Sequence, residues 1–102
     1  MQKQADVTYL NNVVMVSGDL NFQNVMSLQR ACLEQIKHRP EWVFDFSQVN
    51  SSDSSGLAWV IEWIKLAKQD NKKISFKGLS NGLMEIAKAA RLDTIIQPFV
   101  VG

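Results

Sequence analysis

The sequence predicts a single α/β domain: a mixed β-sheet with an N-terminal hairpin and packed α-helices, in the order β-β-α-β-α-β-α-β. Three observations carry this reading. Short runs rich in Val, Ile, Tyr and Phe alternate with two long stretches of helical periodicity, over 22–37 and 54–69. Asn11-Asn12 separates the first two apolar runs at the spacing of a two-residue hairpin. The 102 residues suffice for one core and leave no room for a second domain, and no internal repeat or linker divides 1–102.

Taken in order, Val7 to Leu10 and Val13 to Ser17 read as an edge hairpin, because Asn tolerates the left-handed conformation that tight turns need. Gly18 to Asn21 forms an exit loop, and Asn21 caps a helix from Phe22 to about Lys37. On that helix Phe22, Val25, Met26, Cys32, Leu33 and Ile36 share one apolar side, opposite Gln23, Asn24, Arg30 and Glu34. His38-Arg39-Pro40 ends it, since proline disfavours helical geometry in the preceding residue. Trp42 to Ser47 reads as a central strand with apolar residues on both faces. A polar loop from Ser47 to Asp53 leads to the second helix, Ser54 to Gln69, and Asp70-Asn71-Lys72 turns the chain into a strand at Lys73 to Lys77. Gly78 to Gly82 precedes a helix around Leu83 to Ala90, and Ile95 to Val101 reads as a last edge strand on account of Pro98.

Composition bounds the function. A hydrophobic fraction of 46% and a charged fraction of 21% belong to an ordinary globular chain, and a net charge of +1 gives no overall attraction to nucleic acid. Between Lys65 and Arg91 seven basic residues face only Asp70 and Glu85, a pattern expected of a solvated helix face and turn. The single Cys32 lies on an apolar helix face and reads as a buried, reduced thiol. No apolar run has the length of a membrane span, and the opening MQKQADV lacks the apolar core of a signal peptide. The expectation is a cytoplasmic chain without direct membrane insertion, which could meet a membrane complex only through a partner.

The informative stretch runs from Val43 to Gln69. Its loop delivers hydroxyls onto a helix N-terminus, where unpaired N–H groups and the positive end of the dipole favour an anion. Asp53 or Ser54 can cap this helix, and Ser51, Ser52, Ser54 and Ser55 place four hydroxyls in five positions, more than one cap requires. Gly56 is expected to let another backbone approach, although inside a helix it costs ~1 kcal/mol relative to Ala. Along the helix Leu57, Val60, Ile61, Ile64 and Ala67 form one face, while Trp59, Trp63 and Leu66 form a second stripe about a third of a turn away. That second stripe is covered either by a neighbouring helix or by a partner. The wheel places Trp63 nearer the core and makes Trp59 the expected exposed anchor.

Catalysis is not expected. The only histidine, His38, lies in a different loop from the serines, and no phosphate-binding loop, dinucleotide fingerprint or metal-ligand cluster is present, so neither metal nor cofactor is expected.

Asp45-Phe46-Ser47, Val49 and Asp53-Ser54-Ser55-Gly56-Leu57 resemble the central signature of STAS domains, the family of bacterial anti-sigma-factor antagonists and transporter-associated domains. Gly18-Asp19-Leu20 is similar to the family's glycine-acidic-leucine segment, and the resemblance covers nearly the whole chain. It implies a non-enzymatic STAS fold in which Ser54 stands where antagonists carry a phosphorylated serine. Asn21 departs from the Asp common in those antagonists, and the chain looks most like the MlaB-like STAS subunits of phospholipid-transport ABC complexes. The resemblance therefore implies an ABC-transporter ATPase partner, in the maintenance of outer-membrane lipid asymmetry, bound through Ser52, Asp53, Ser54, Ser55 and Gly56, to which the two-stripe geometry of the helix adds Trp59 and Trp63. The alternative it implies is an anti-sigma-factor antagonist regulated by a partner kinase through Ser54.

Overall fold

β1 (Asp6–Leu10) and β2 (Val13–Leu20) form the expected hairpin: Asn11 and Asn12 take φ of 51° and 66°, the left-handed values a two-residue turn requires. β3 (Glu41–Ser52) pairs parallel with β2, and β4 (Lys73–Lys77) pairs parallel with β3, giving a four-stranded mixed sheet in the order β1-β2-β3-β4. The computed structural model describes residues 4–101, so Met1-Gln2-Lys3, at the start of the stretch read for a signal peptide, lie outside the described residues.

Helices α1 (Phe22–Ile36), α2 (Ser54–Gln69) and α3 (Asn81–Ala89) connect or follow these strands. Burial alternates along the strands as a one-sided sheet demands. Val14, Val16, Trp42, Phe44, Phe46, Ile74 and Phe76 are buried, whereas their neighbours Met15, Val43, Asp45 and Ser75 are not. The helices therefore cover one face, and the core lies between them and the sheet.

Three boundaries differ from expectation. Gly18 to Leu20, read as part of an exit loop, continue β2, because β3 pairs with them. The residues read as a loop, 47–53, are strand as far as Ser52: their side chains are polar, but the end of β2 supplies backbone partners, pairing Gly18 with Val49 and Leu20 with Ser52 across two register shifts. The expected last strand, Ile95 to Val101, is instead a short helix α4 (Asp93–Ile96) and a 3₁₀ turn at Gln97–Phe99. Leu92 O accepts from the N–H groups of Ile95 and Ile96, Pro98 has no donor for a ladder, and only Val100 forms a parallel bridge, to Phe76.

Six aromatic rings fill the centre. Trp63 of α2 meets Trp42 edge-on at 5.7 Å and Phe44 at 5.0 Å, and Phe44 stacks on Phe76 at 5.3 Å. The Trp42 indole N–H donates to Ile36 O at 2.9 Å, but the buried Trp63 Nε1 has no hydrogen-bond partner among the described residues. An orphaned donor of this kind costs about 1–3 kcal/mol. Trp63→Ala should lose about 3–5 kcal/mol of folding stability, whereas Trp63→Phe, which keeps a ring and removes the orphan, should lose far less. Urea denaturation midpoints of the two variants check the order.

Cys32 is 1% exposed, as expected of a buried thiol, and burial pushes its pKa up to about 11, offset in part by Tyr9 and Arg39. The folded chain thus keeps a proton that the unfolded chain releases near its ordinary value of 9.0, so this contribution to stability is intact below about pH 9 and is lost as pH rises toward about 11. Burial also raises the Tyr9 phenol, which adds the same trend above its ordinary value of 10.0. Stability measured between pH 9 and 10 should fall more steeply for the wild type than for Cys32→Ala.

A candidate docking site at the start of α2

The site is assembled where β2 and β3 end and α1 and α2 begin. Gly18 sits within β2 at φ 87°, where an added Cβ would lie 2.9 Å from Ala5 Cα, so both conformation and space require glycine. The accompanying register shift delivers the Asp19 carboxylate to β3, where its Oδ1 accepts from Asn50 Nδ2 at 3.0 Å and from Ser51 Oγ at 2.9 Å. Its backbone oxygen accepts from Asn24 Nδ2 at 2.7 Å, and Asn21 caps α1 by accepting from the Asn24 N–H at 3.0 Å. Asp53 N–H donates to Leu20 O at 3.2 Å, which fixes the start of α2 against the end of β2.

The hydroxyls divide. Ser51 is held by Asp19, and Ser52 donates to Asp53 O at 3.2 Å. The cap is Asp53, whose carboxylate accepts from Ser55 N–H at 2.8 Å. Ser54 is the first residue of the helix, exposed, and its hydroxyl has no hydrogen bond among the described residues. Gly56 is buried for a different reason than expected: the close neighbour is the Ser52 side chain rather than another backbone, and a Cβ would overlap its hydroxyl and lie 3.4 Å from Leu20 Cβ.

The tryptophans are corrected most. Trp63 is fully buried and Trp59 is only 4% exposed, so the expected projecting anchor is part of the core. Of the two covers open to the second stripe, the domain uses its own: α1 lies over Trp59, whose indole N–H donates to Gln29 Oε1, and Phe46 lies 6.2 Å away on the sheet side.

The exposed apolar groups are elsewhere. Phe22 and Met26, expected on the buried face of α1, are 66% and 62% exposed. They lie about 60–100° round the helix from the buried Val25, which turns them along α2 and away from the sheet. With α2 they border an open groove of about 350 Å³. Val25 and Trp59 form its floor, Phe22 and Met26 one rim, and Ala58 and Glu62 the other. Ser55 closes the end beside Ser54. Sequence periodicity missed this groove, because apolar residues at helical spacing read as core; their crowding into the first two turns was the available signal.

A protein-family model described as "Mlab, STAS domain" matches residues 6–100. The chain belongs to the STAS domain family. Among solved structures, this STAS domain is similar to the anti-sigma factor antagonist SpoIIAA in its unphosphorylated form, with 14% identity over 95% of this chain and 85% of that one, at a TM-score of 0.69. It is also similar to Moorella thermoacetica RsbS carrying a serine-to-glutamate substitution, with 16% identity over 83% of this chain and 75% of that one, at a TM-score of 0.63. At these identities the likeness is one of fold, and the single α/β domain expected from the sequence is that fold.

Because Asp53 rather than Ser54 supplies the cap, Asp53→Ala should cost the STAS domain about 1 kcal/mol, while Ser54→Ala should stay within about 0.5 kcal/mol of wild type. Thermal or urea unfolding of the two variants side by side checks the division.

Proposed function

We propose that this STAS domain is a non-enzymatic interaction subunit that binds the ATPase of an ABC-type phospholipid transporter, within a system maintaining outer-membrane lipid asymmetry. The observation that carries the reading is the exposed, unbonded Ser54 hydroxyl on the first turn of α2, beside an apolar groove rimmed by Phe22 and Met26. Polar atoms already satisfied within the domain are poor recognition groups; the N–H groups of Ser55 and Gly56 are taken by Asp53, whereas the Ser54 hydroxyl, at the positive end of the helix dipole, remains available to a partner. Ser52, Asp53, Ser55 and Gly56 shape this surface, and Trp59 and Trp63 support it from beneath. The family description "Mlab, STAS domain" supports a transporter partner. No helix among the described residues is long and apolar enough to cross a membrane, consistent with attachment to the cytoplasmic face through the ATPase.

The second reading, an anti-sigma-factor antagonist switched by a kinase at Ser54, draws on the description of SpoIIAA and on the accessibility of the same hydroxyl. Asn21 favours the transporter reading. It caps α1 as a neutral amide, at a position where resemblance associates phosphorylated antagonists with a carboxylate.

Affinity purification of the tagged chain from its own cells, followed by mass spectrometry, should recover an ABC ATPase and should find Ser54 unphosphorylated. Ser54→Glu, which places an unpaired carboxylate in a desolvated contact, should lose the ATPase while keeping the wild-type unfolding midpoint. Recovery of a kinase together with phosphoserine at position 54 would replace the transporter reading with the antagonist one.

A further inference from the structure

We infer that the groove between α1 and α2 receives a single amphipathic helix of a partner protein, running antiparallel to α2 and placing a Lys or Arg against Glu62. The inference rests on the reading as an interaction subunit and adds the chemistry of the segment that docks.

The dimensions suit a helix. The lining runs from Phe22 to Gln29 on α1 and from Ser55 to Glu62 on α2, a separation of seven positions on each. That is about 10 Å, or two turns, the length over which a helix presents apolar side chains at i, i+3 or i+4, and i+7. Phe22 and Met26, one turn apart and each about two-thirds exposed, form a rim that such side chains would bury against Val25 and Trp59.

Direction and charge follow from the electrostatics. α1 and α2 each leave one of two parallel strands, and the Gln29–Trp59 bond pairs the later part of one lining with the middle of the other, so both helices begin at the same end of the groove. Neither carries an acidic residue in its first turn. Two carboxylates lie beside that end and both are engaged, Asp53 by the Ser55 N–H as the cap and Asp19 by Asn50 and Ser51. An antiparallel visitor brings its C-terminal carbonyls toward Ser54 and Ser55, where donors and the positive dipole ends of two helices converge. At the other end Glu62 is the only charged residue lining the groove, and it makes no ion pair among the described residues. A base on the visiting helix complements it. A second copy offering the same groove brings another Glu62 and no base, which disfavours self-docking.

The test uses a phage-displayed library of a short helix on a fixed scaffold, with its outward positions randomised, panned on the wild-type domain and counter-selected on Met26→Glu. Enriched helices should carry large apolar residues at i, i+3 or i+4, and i+7 with an adjacent Lys or Arg. Binding should fall at least about tenfold on Phe22→Ala and on Met26→Glu, and Glu62→Lys should turn the preference to acidic helices. Both rim residues are exposed, so the variants should retain the wild-type unfolding midpoint, and that measurement accompanies each. Absence of enrichment, indifference of the selected helices to Glu62→Lys, a wild-type dimer in sedimentation that Met26→Glu dissociates, or displacement of the selected helix by palmitate would each overturn the assignment. The outcomes also separate the two proposals. ATPase capture that responds to Ser54→Glu and ignores Met26→Glu leaves the transporter reading standing and removes the groove. Selection of basic helices without any ATPase capture does the reverse.

Discussion

The docking of Trp63 among Trp42, Phe44 and the rings beyond them is the contact on which the rest of the arrangement depends. α2 is the only helix that sends two indoles inward, and Trp59 and Trp63 lie 6.0 Å apart as neighbours one turn from each other. Because aromatic side chains are large and rigid, a helix anchored by two of them has little freedom to slide or rotate on the sheet. The position of its first residue, Ser54, is therefore set more than two turns away by core packing. The exposed Ser54 hydroxyl thus sits at a fixed place on the helix start.

A second constraint works at the site itself. Gly18 and the register shift after it turn Asp19 toward β3, and Asp19 then gathers Asn50, Ser51 and, through its backbone oxygen, Asn24. One buried carboxylate thus joins the end of β2, the end of β3 and the start of α1. Hydrogen bonds to a charged group contribute about 1.5–3 kcal/mol, enough to hold a polar strand end in register where no apolar side chain can do so. The hydroxyls divide accordingly: Ser51 is taken up by this network, Ser52 turns to Asp53 O, and Ser54 is left over.

Much of this was legible in the sequence. The hairpin followed from Asn11-Asn12, the first two helix starts from Asn21 and Asp53, and the placement of Leu57, Val60 and Ile64 in the core from periodicity, because each depends on residues near one another in the chain. The extension of β3 through Ser52 was not legible, since its pairing depends on a bulged partner strand thirty residues earlier. Nor was the end of the chain: Ile95 and Ile96 have strand propensity, but tertiary packing places Ile96 in the core from a short helix. The tryptophan assignment failed for a similar reason. A wheel shows that α2 has two apolar stripes, but only the position of α1 decides whether the second is covered, and it is.

That last point joins stability to recognition. Trp59 is both a core residue and the floor of the groove, and the bond from its indole to Gln29 fixes the two helices that form the groove walls. Phe22 and Met26 contribute little to the fold while exposed, yet full burial of each is worth about 1.5–3 kcal/mol, which a partner gains and the isolated domain does not. Apolar residues at an exposed rim carry a solubility cost, and their placement over a rigid floor makes that cost intelligible as preorganisation: the groove does not have to form when the partner arrives. The domain thereby keeps its tryptophans where they fix its shape and leaves Phe22, Met26 and the Ser54 hydroxyl exposed beside the groove they frame.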